Sequence, residues 1–151
     1  MSLEAGRVAI ERYFQANWVY AEPLGMDGHP FTATAGSVRL TIKDGARMQG
    51  TIGRVQNVVN RIGTLTAQIF TAGGVGSSSW RIIGDRVIDL THNITIDDSG
   101  AVVTAASQTA LVRFSPPELG DAAHPYIAAD IDEAPFRQTN IICPFVVYEL
   151  R

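Results

Sequence analysis

The sequence predicts a single α+β domain spanning residues 1–151, with a mostly antiparallel (or mixed) β-sheet and two α-helices packed on one of its faces. Three observations lead there. Two separated stretches, 3–18 and 77–91, carry apolar residues at helical spacing. From Ser37 the apolar residues alternate with polar ones, the period of a half-buried strand. Further strand-like runs follow one another across turns instead of alternating regularly with helices, which favours α+β over a doubly wound α/β fold.

The first helix is expected over residues 3–18. Ile10, Phe14 and Trp18 recur at intervals of four with Tyr13 beside them, while Glu4, Arg7, Glu11 and Arg12 fall on the other side. Such an aromatic stripe reads as core contact. Pro23, Gly25, Gly28 and Pro30 then interrupt any period, and Phe31 is expected to plug into the core beside the first helix. Val38, Leu40 and Ile42 alternate with Arg39, Thr41 and Lys43 as a strand. Asp44-Gly45 is a hairpin turn signal, with residues 46–52 as the returning strand. The β-branched run from Arg54 to Ile62 continues into a strand over 63–70.

A glycine-rich turn, Gly73-Gly74-Val75-Gly76, leads to the second helix, with Ser77 as its N-cap candidate. Trp80, Ile83, Val87 and Leu90 recur at spacings of three and four, with Arg81, Asp85, Arg86 and Asp89 outside. Residues 94–96, the turn Asp97 to Gly100, and residues 101–114 read as strand, turn and strand. Residues 115–137 hold Pro116, Pro117, Pro125 and Pro135 and no sustained period, so they are expected to form a long irregular acidic connection. Residues 139–150 read as a closing strand, in which Pro144 argues for an edge or a bulge.

Composition narrows the function classes. The chain has 151 residues, 46% hydrophobic and 18% charged, the balance of a globular domain able to bury a core. A net charge of -3 argues against nucleic-acid binding through bulk positive charge. One cysteine cannot form an intrachain disulfide framework and suits a reducing compartment. No apolar run has the length of a membrane helix, and no signal-peptide pattern opens the chain, so neither a membrane partner nor export is expected.

The motifs that carry chemistry are weak. A strand, a glycine turn and a helix start can cradle a phosphate. Here Gly74-Val75-Gly76 lacks the third small residue of a dinucleotide fingerprint, the surrounding parallel βαβ unit, and the lysine of a P-loop. His29, His92 and His124 fall in separate loops or helix ends with no second ligand at metal spacing. Cys143 lies in an apolar strand and reads as a small buried hydrophobe. Asp97-Asp98 lacks the downstream glutamate of a calcium loop. The sequence therefore predicts no catalytic residues, no cofactor and no metal site.

Charge is segregated along the chain. Residues 39–61 hold Arg39, Lys43, Arg47, Arg54 and Arg61 against only Asp44. Residues 115–137 hold Glu118, Asp121, Asp130, Asp132 and Glu133 against only Arg137. Opposite-signed segments suit head-to-tail contact between copies, or they face each other within one subunit or are merely solvated. From the first option, Arg39, Lys43, Arg47, Arg54, Arg61, Asp130, Asp132 and Glu133 are the candidate interface residues.

Taken together and in order, several short pieces resemble the tail terminator proteins of long-tailed phages and prophages. They are Phe14 and Trp18, Pro30-Phe31, Val38-Arg39-Leu40, Arg61-Ile62-Gly63-Thr64-Leu65 with Gln68-Ile69-Phe70, the glycine turn, and the ending from Pro144 to Leu150. Residues 115–137 depart from the pattern in length. The resemblance implies a structural virion protein without catalysis, assembled in the host cytoplasm. It would form a hexameric ring that caps the tail tube, with the tube protein and the head–tail connector as partners, and without membrane or sequence-specific nucleic acid. The alternatives are an α+β domain binding a small molecule or nucleotide at Gly73 to Ser77, or another virion adaptor such as a head-completion or tail-tube protein.

Overall fold

The computed structural model describes residues 3–49, 58–74, 78–133 and 135–150. Helix α1 (Leu3–Asn17) and helix α2 (Ser78–Thr91) stand where the helical period places them. Between and after them run β1 (Leu24–Gly25), β2 (Ser37–Gln49), β3 (Val58–Ala72), β4 (Thr95–Ile96), β5 (Val102–Val103), β6 (Val112–Phe114), β7 (Tyr126–Glu133) and β8 (Phe136–Leu150). A 3-10 segment, Pro117–Ala123, precedes β7. The strands form one curled sheet in the order β1-β2-β3-β8-β6-β4-β5, with β7 beside β8. It is mixed because β1 runs parallel to β2, while all other pairs are antiparallel.

The centre is the β3–β8 ladder, in register from Val58↔Leu150 to Ala72↔Phe136. Its alternate residues Leu65, Ala67, Ile69, Ile141, Cys143, Phe145 and Val147 are buried, and Val38 and Leu40 extend that layer onto β2. Both helices cover this inner face. Ala9, Ile10, Tyr13 and Phe14 of α1 and Trp80, Ile83 and Val87 of α2 enter the same core cluster. Burying each large side chain of this kind stabilises by roughly 1.5–3 kcal/mol. Close approach needs small residues on the helices: a Cβ on Gly6 would lie 3.1 Å from Val147, and one on Gly84 3.1 Å from Ile141. Tyr13 ties the helices together by donating to Leu90 O at 2.6 Å, and burial pushes its hydroxyl pKa up to about 12.

Four expectations are corrected. Asp44-Gly45 is no hairpin turn: β2 runs straight through it, with a bulge between Asp44 and Arg47. The segment 115–137 is mostly ordered secondary structure, since β7 and the start of β8 form a hairpin there. Pro144 is neither at an edge nor in a bulge; it pairs with Thr64 in an interior strand. Its carbonyl accepts from Ser115 N at 3.2 Å, so its missing N–H points to the gap where β7 ends and β6 begins, and no ladder bond is lost. Phe31 does not join α1. It lies over Gly25 on the outer face, 5.8 Å from Phe70, which in turn lies 6.3 Å from Phe136.

Candidate assembly interface

Basic β2 and acidic β7 lie on opposite sides of the same central pair. With β3 and β8 between them, three strand spacings of about 4.8 Å set them roughly 14 Å apart. They therefore do not face each other within the subunit, and their backbones are held rigidly by the sheet between them.

The candidate residues divide between surface, interior and undescribed chain. Arg39 and Lys43 project from the outer face of β2, opposite Gln68 and Thr64, and are exposed. Arg47 is also exposed, and among the described residues none of these three makes an ion pair. Arg61 is a correction. It is only 2% exposed, points to the helix-covered face below Gly6, and holds its Nε 3.3 Å from Asp44 Oδ1. A guanidinium so placed belongs to the fold and offers nothing to a partner. Arg54 lies outside the described residues.

On β7, Asp130 takes both guanidinium hydrogen bonds of Arg137, at 2.9 and 2.7 Å, and the Thr139 hydroxyl at 3.2 Å. Arg137 foremost, with Thr139 assisting, holds the Asp130 carboxyl below the usual carboxylate range. Asp132 Oδ1 accepts from Gly74 N at 3.3 Å and remains exposed. Glu133 ends the strand opposite Phe136.

The glycine turn is thus braced against the β7–β8 corner. Gly73 N donates to Pro135 O at 3.1 Å, and Gly74 N to Asp132. A phosphate oxygen would have to displace the carboxylate from Gly74 and then sit beside its negative charge. Val75, Gly76 and the N-cap candidate Ser77 lie outside the described residues. Cys143 is fully buried, with its thiol pushed by burial up to about 11 and the Thr91 hydroxyl donating to it at 3.4 Å.

Two groupings escaped the sequence. The rings of His92 and His124, 32 positions apart in the chain, lie 5.2 Å from each other. Among the described residues no three His, Cys, Asp or Glu side chains are grouped to hold a metal ion. The second grouping is a set of exposed apolar side chains: Tyr126, Ile127 and Ile131 on β7 are 51%, 48% and 49% exposed, and Ile127 with Trp80, Gly84, Ile88 and Ile141, together with the charged Arg81 and Asp85, walls a recess of about 190 Å³ between β7 and α2. Its sequence signal was the alternation Ala129-Asp130-Ile131-Asp132, hidden among prolines and acids.

The chain matches no protein-family model and no curated protein. A solved structure that carries no functional name superposes on it with a TM-score of 0.64 at 15% identity, covering 97% of this chain and 96% of its own. That likeness establishes the α+β fold and nothing about activity or partners.

Proposed function

We propose that this chain is a tail terminator subunit: it closes into a hexameric ring on the finished tail tube of a phage or prophage particle and joins the tube to the head connector. The observation that supports this best is the placement of basic and acidic strands on opposite sides of one rigid sheet. A subunit with two different, complementary sides makes head-to-tail contacts, and such contacts close into rings when the rotation between copies allows. The outer sheet face, with Arg39, Thr41, Lys43, Thr64, Thr66 and Gln68, gives the ring a second surface for a partner. One ring face mimics the tube's stacking surface and the other does not, so the next tube subunit finds no complementary face and growth ends. The role needs neither catalysis nor a cofactor.

The test is to add the protein to tail tubes that are still elongating. Tubes that stop at the length reached on addition support the reading; unchanged elongation contradicts it. Nucleotide binding at Gly73 to Ser77 is the competing reading, and the carboxylate on Gly74 weighs against it. Thermal unfolding with nucleotides or inorganic phosphate is expected to show no rise in melting temperature, because only a ligand of the folded state raises it. A rise that disappears in Gly76→Val would favour the nucleotide reading instead.

A further inference from the structure

We infer that the free edge of β7 in one copy adds to the free edge of the distal half of β2 in the next copy, so that one sheet runs from subunit to subunit. This rests on the ring reading and adds to it which strands meet. The long unpaired edges select these two. Among the described residues β7 pairs only with β8, and β1 covers β2 only at Val38 and Arg39. The terminal strands of the sheet, β1 and β5, have two residues each, too short to add a neighbour.

Strand alternation shows which backbone groups are offered. The Pro144 carbonyl points away from β3, so even-numbered residues of β8 bond toward β6 and β7. Their partners Ala129 and Ile131 are occupied, which leaves the amides and carbonyls of Asp130 and Asp132 facing outward. On β2, Val38 N donates to Pro23 O at 2.9 Å and Ile42 N to Asp27 Oδ1 at 3.2 Å, so its even-numbered amides face the outer side up to the bulge. Past the bulge Arg47, opposite Arg61, takes over that direction, and residues 43–47 are exposed. Each edge therefore presents bare ladder groups, flanked by acids on one strand and bases on the other.

An unpaired edge is ordinarily protected, and β7 carries two protective devices: its acids, and a bulge between Ile127 and Ala129. That protection is selective in sign. Two β7 edges would set Asp130 and Asp132 against their like, and two distal β2 edges centred on Arg47 would oppose Arg47 to Arg47. Both two-fold pairings are repelled, and only β7 against β2 brings opposite charges together. Half-exposed Tyr126, Ile127 and Ile131 then gain apolar cover in the same contact.

The experiment is sedimentation of the wild-type chain, of Arg47→Glu and of Asp132→Lys, each alone and the two variants mixed in equal amounts. Each variant alone sets like charges across every contact and is expected to associate at least about tenfold more weakly. In the mixture, alternating copies meet Glu with Lys at one contact and Arg with Asp at the next, so assembly is expected to return. Asp132→Lys also loses the bond from Gly74 N; Ile131→Lys, at a half-exposed site, is the second β7 variant, and it too is expected to weaken association. Thermal melts verify that every variant is folded. If the wild type forms rings and the variants alone do so equally well, or if the mixture fails to recover, the edge pairing is overturned and the ring reading stands. A wild type that stays monomeric at every concentration overturns both.

Discussion

Strands β2 and β7 flank the same central ladder, yet they treat their charge in opposite ways. On β7 an acid is tied internally, Asp130 to Arg137, and Asp132 braces the glycine turn. On β2 Arg39, Lys43 and Arg47 project into solvent, while Arg61, the one base among the described members of the group that turns inward, sits on β3 and pairs with Asp44. A carboxylate is short, and Asp130 reaches its partners along its own hairpin. Arginine and lysine are long, so the same local excess of charge stays at the surface. Opposite sides of one sheet thus carry a braced acidic edge and an uncommitted basic one. A heterologous contact requires that asymmetry.

The comparison can be broken first at Arg61 and Arg47, which face each other across β2 and β3. Arg61→Ala removes a buried charged partner and its packing, and is expected to destabilise by about 3–5 kcal/mol in denaturant unfolding. Arg47→Ala is expected to change stability by no more than about 0.5 kcal/mol while weakening assembly. Equal effects on stability would erase the distinction between buried and exposed base.

Next comes the ladder on which both edges depend. Gly63 faces Phe145, and a Cβ there would lie 2.5 Å from the ring and 2.8 Å from Lys43 O. Gly63→Ala is expected to cost about 1–3 kcal/mol by overpacking, read as a lower denaturation midpoint. A neutral result would mean that the ladder yields at its centre.

The smallest effect belongs to the brace on β7. Arg137 depresses the Asp130 pKa, so the pair's contribution is fully present above the ordinary carboxylate pKa and is lost as pH falls through the lowered value. The pair is partly solvated, so Asp130→Asn is expected to cost less than about 1 kcal/mol at neutral pH and to flatten the acid limb of the stability profile. An unchanged acid limb would show that Asp130 has no part in it.

Much of this architecture was legible in the sequence, for physical reasons that differ by element. Both helices were visible because their buried stripes keep an unbroken period, down to Ile83 and Val87 on α2. The bulge at Asp44 was not, because Asp-Gly is also the chemistry of a tight turn, and only the pairing with Gly63 and Arg61 tells them apart. Strand β7 was missed because the bulge after Ile127 puts its apolar residues out of phase, with Tyr126 and Ile131 on one face and Ile127 on the other. Segregated charge could be read directly. Its distribution to opposite sides of the sheet could not, since that depends on pairings between residues as far apart as Val58 and Leu150.

The head-to-tail ring is tested most directly by sedimentation velocity of the wild-type chain across protein concentration and salt. A single closed species is expected, unchanged in size once formed and dissociating as salt screens the opposed edges. A strict monomer, or a continuum of ever larger open polymers, would contradict it.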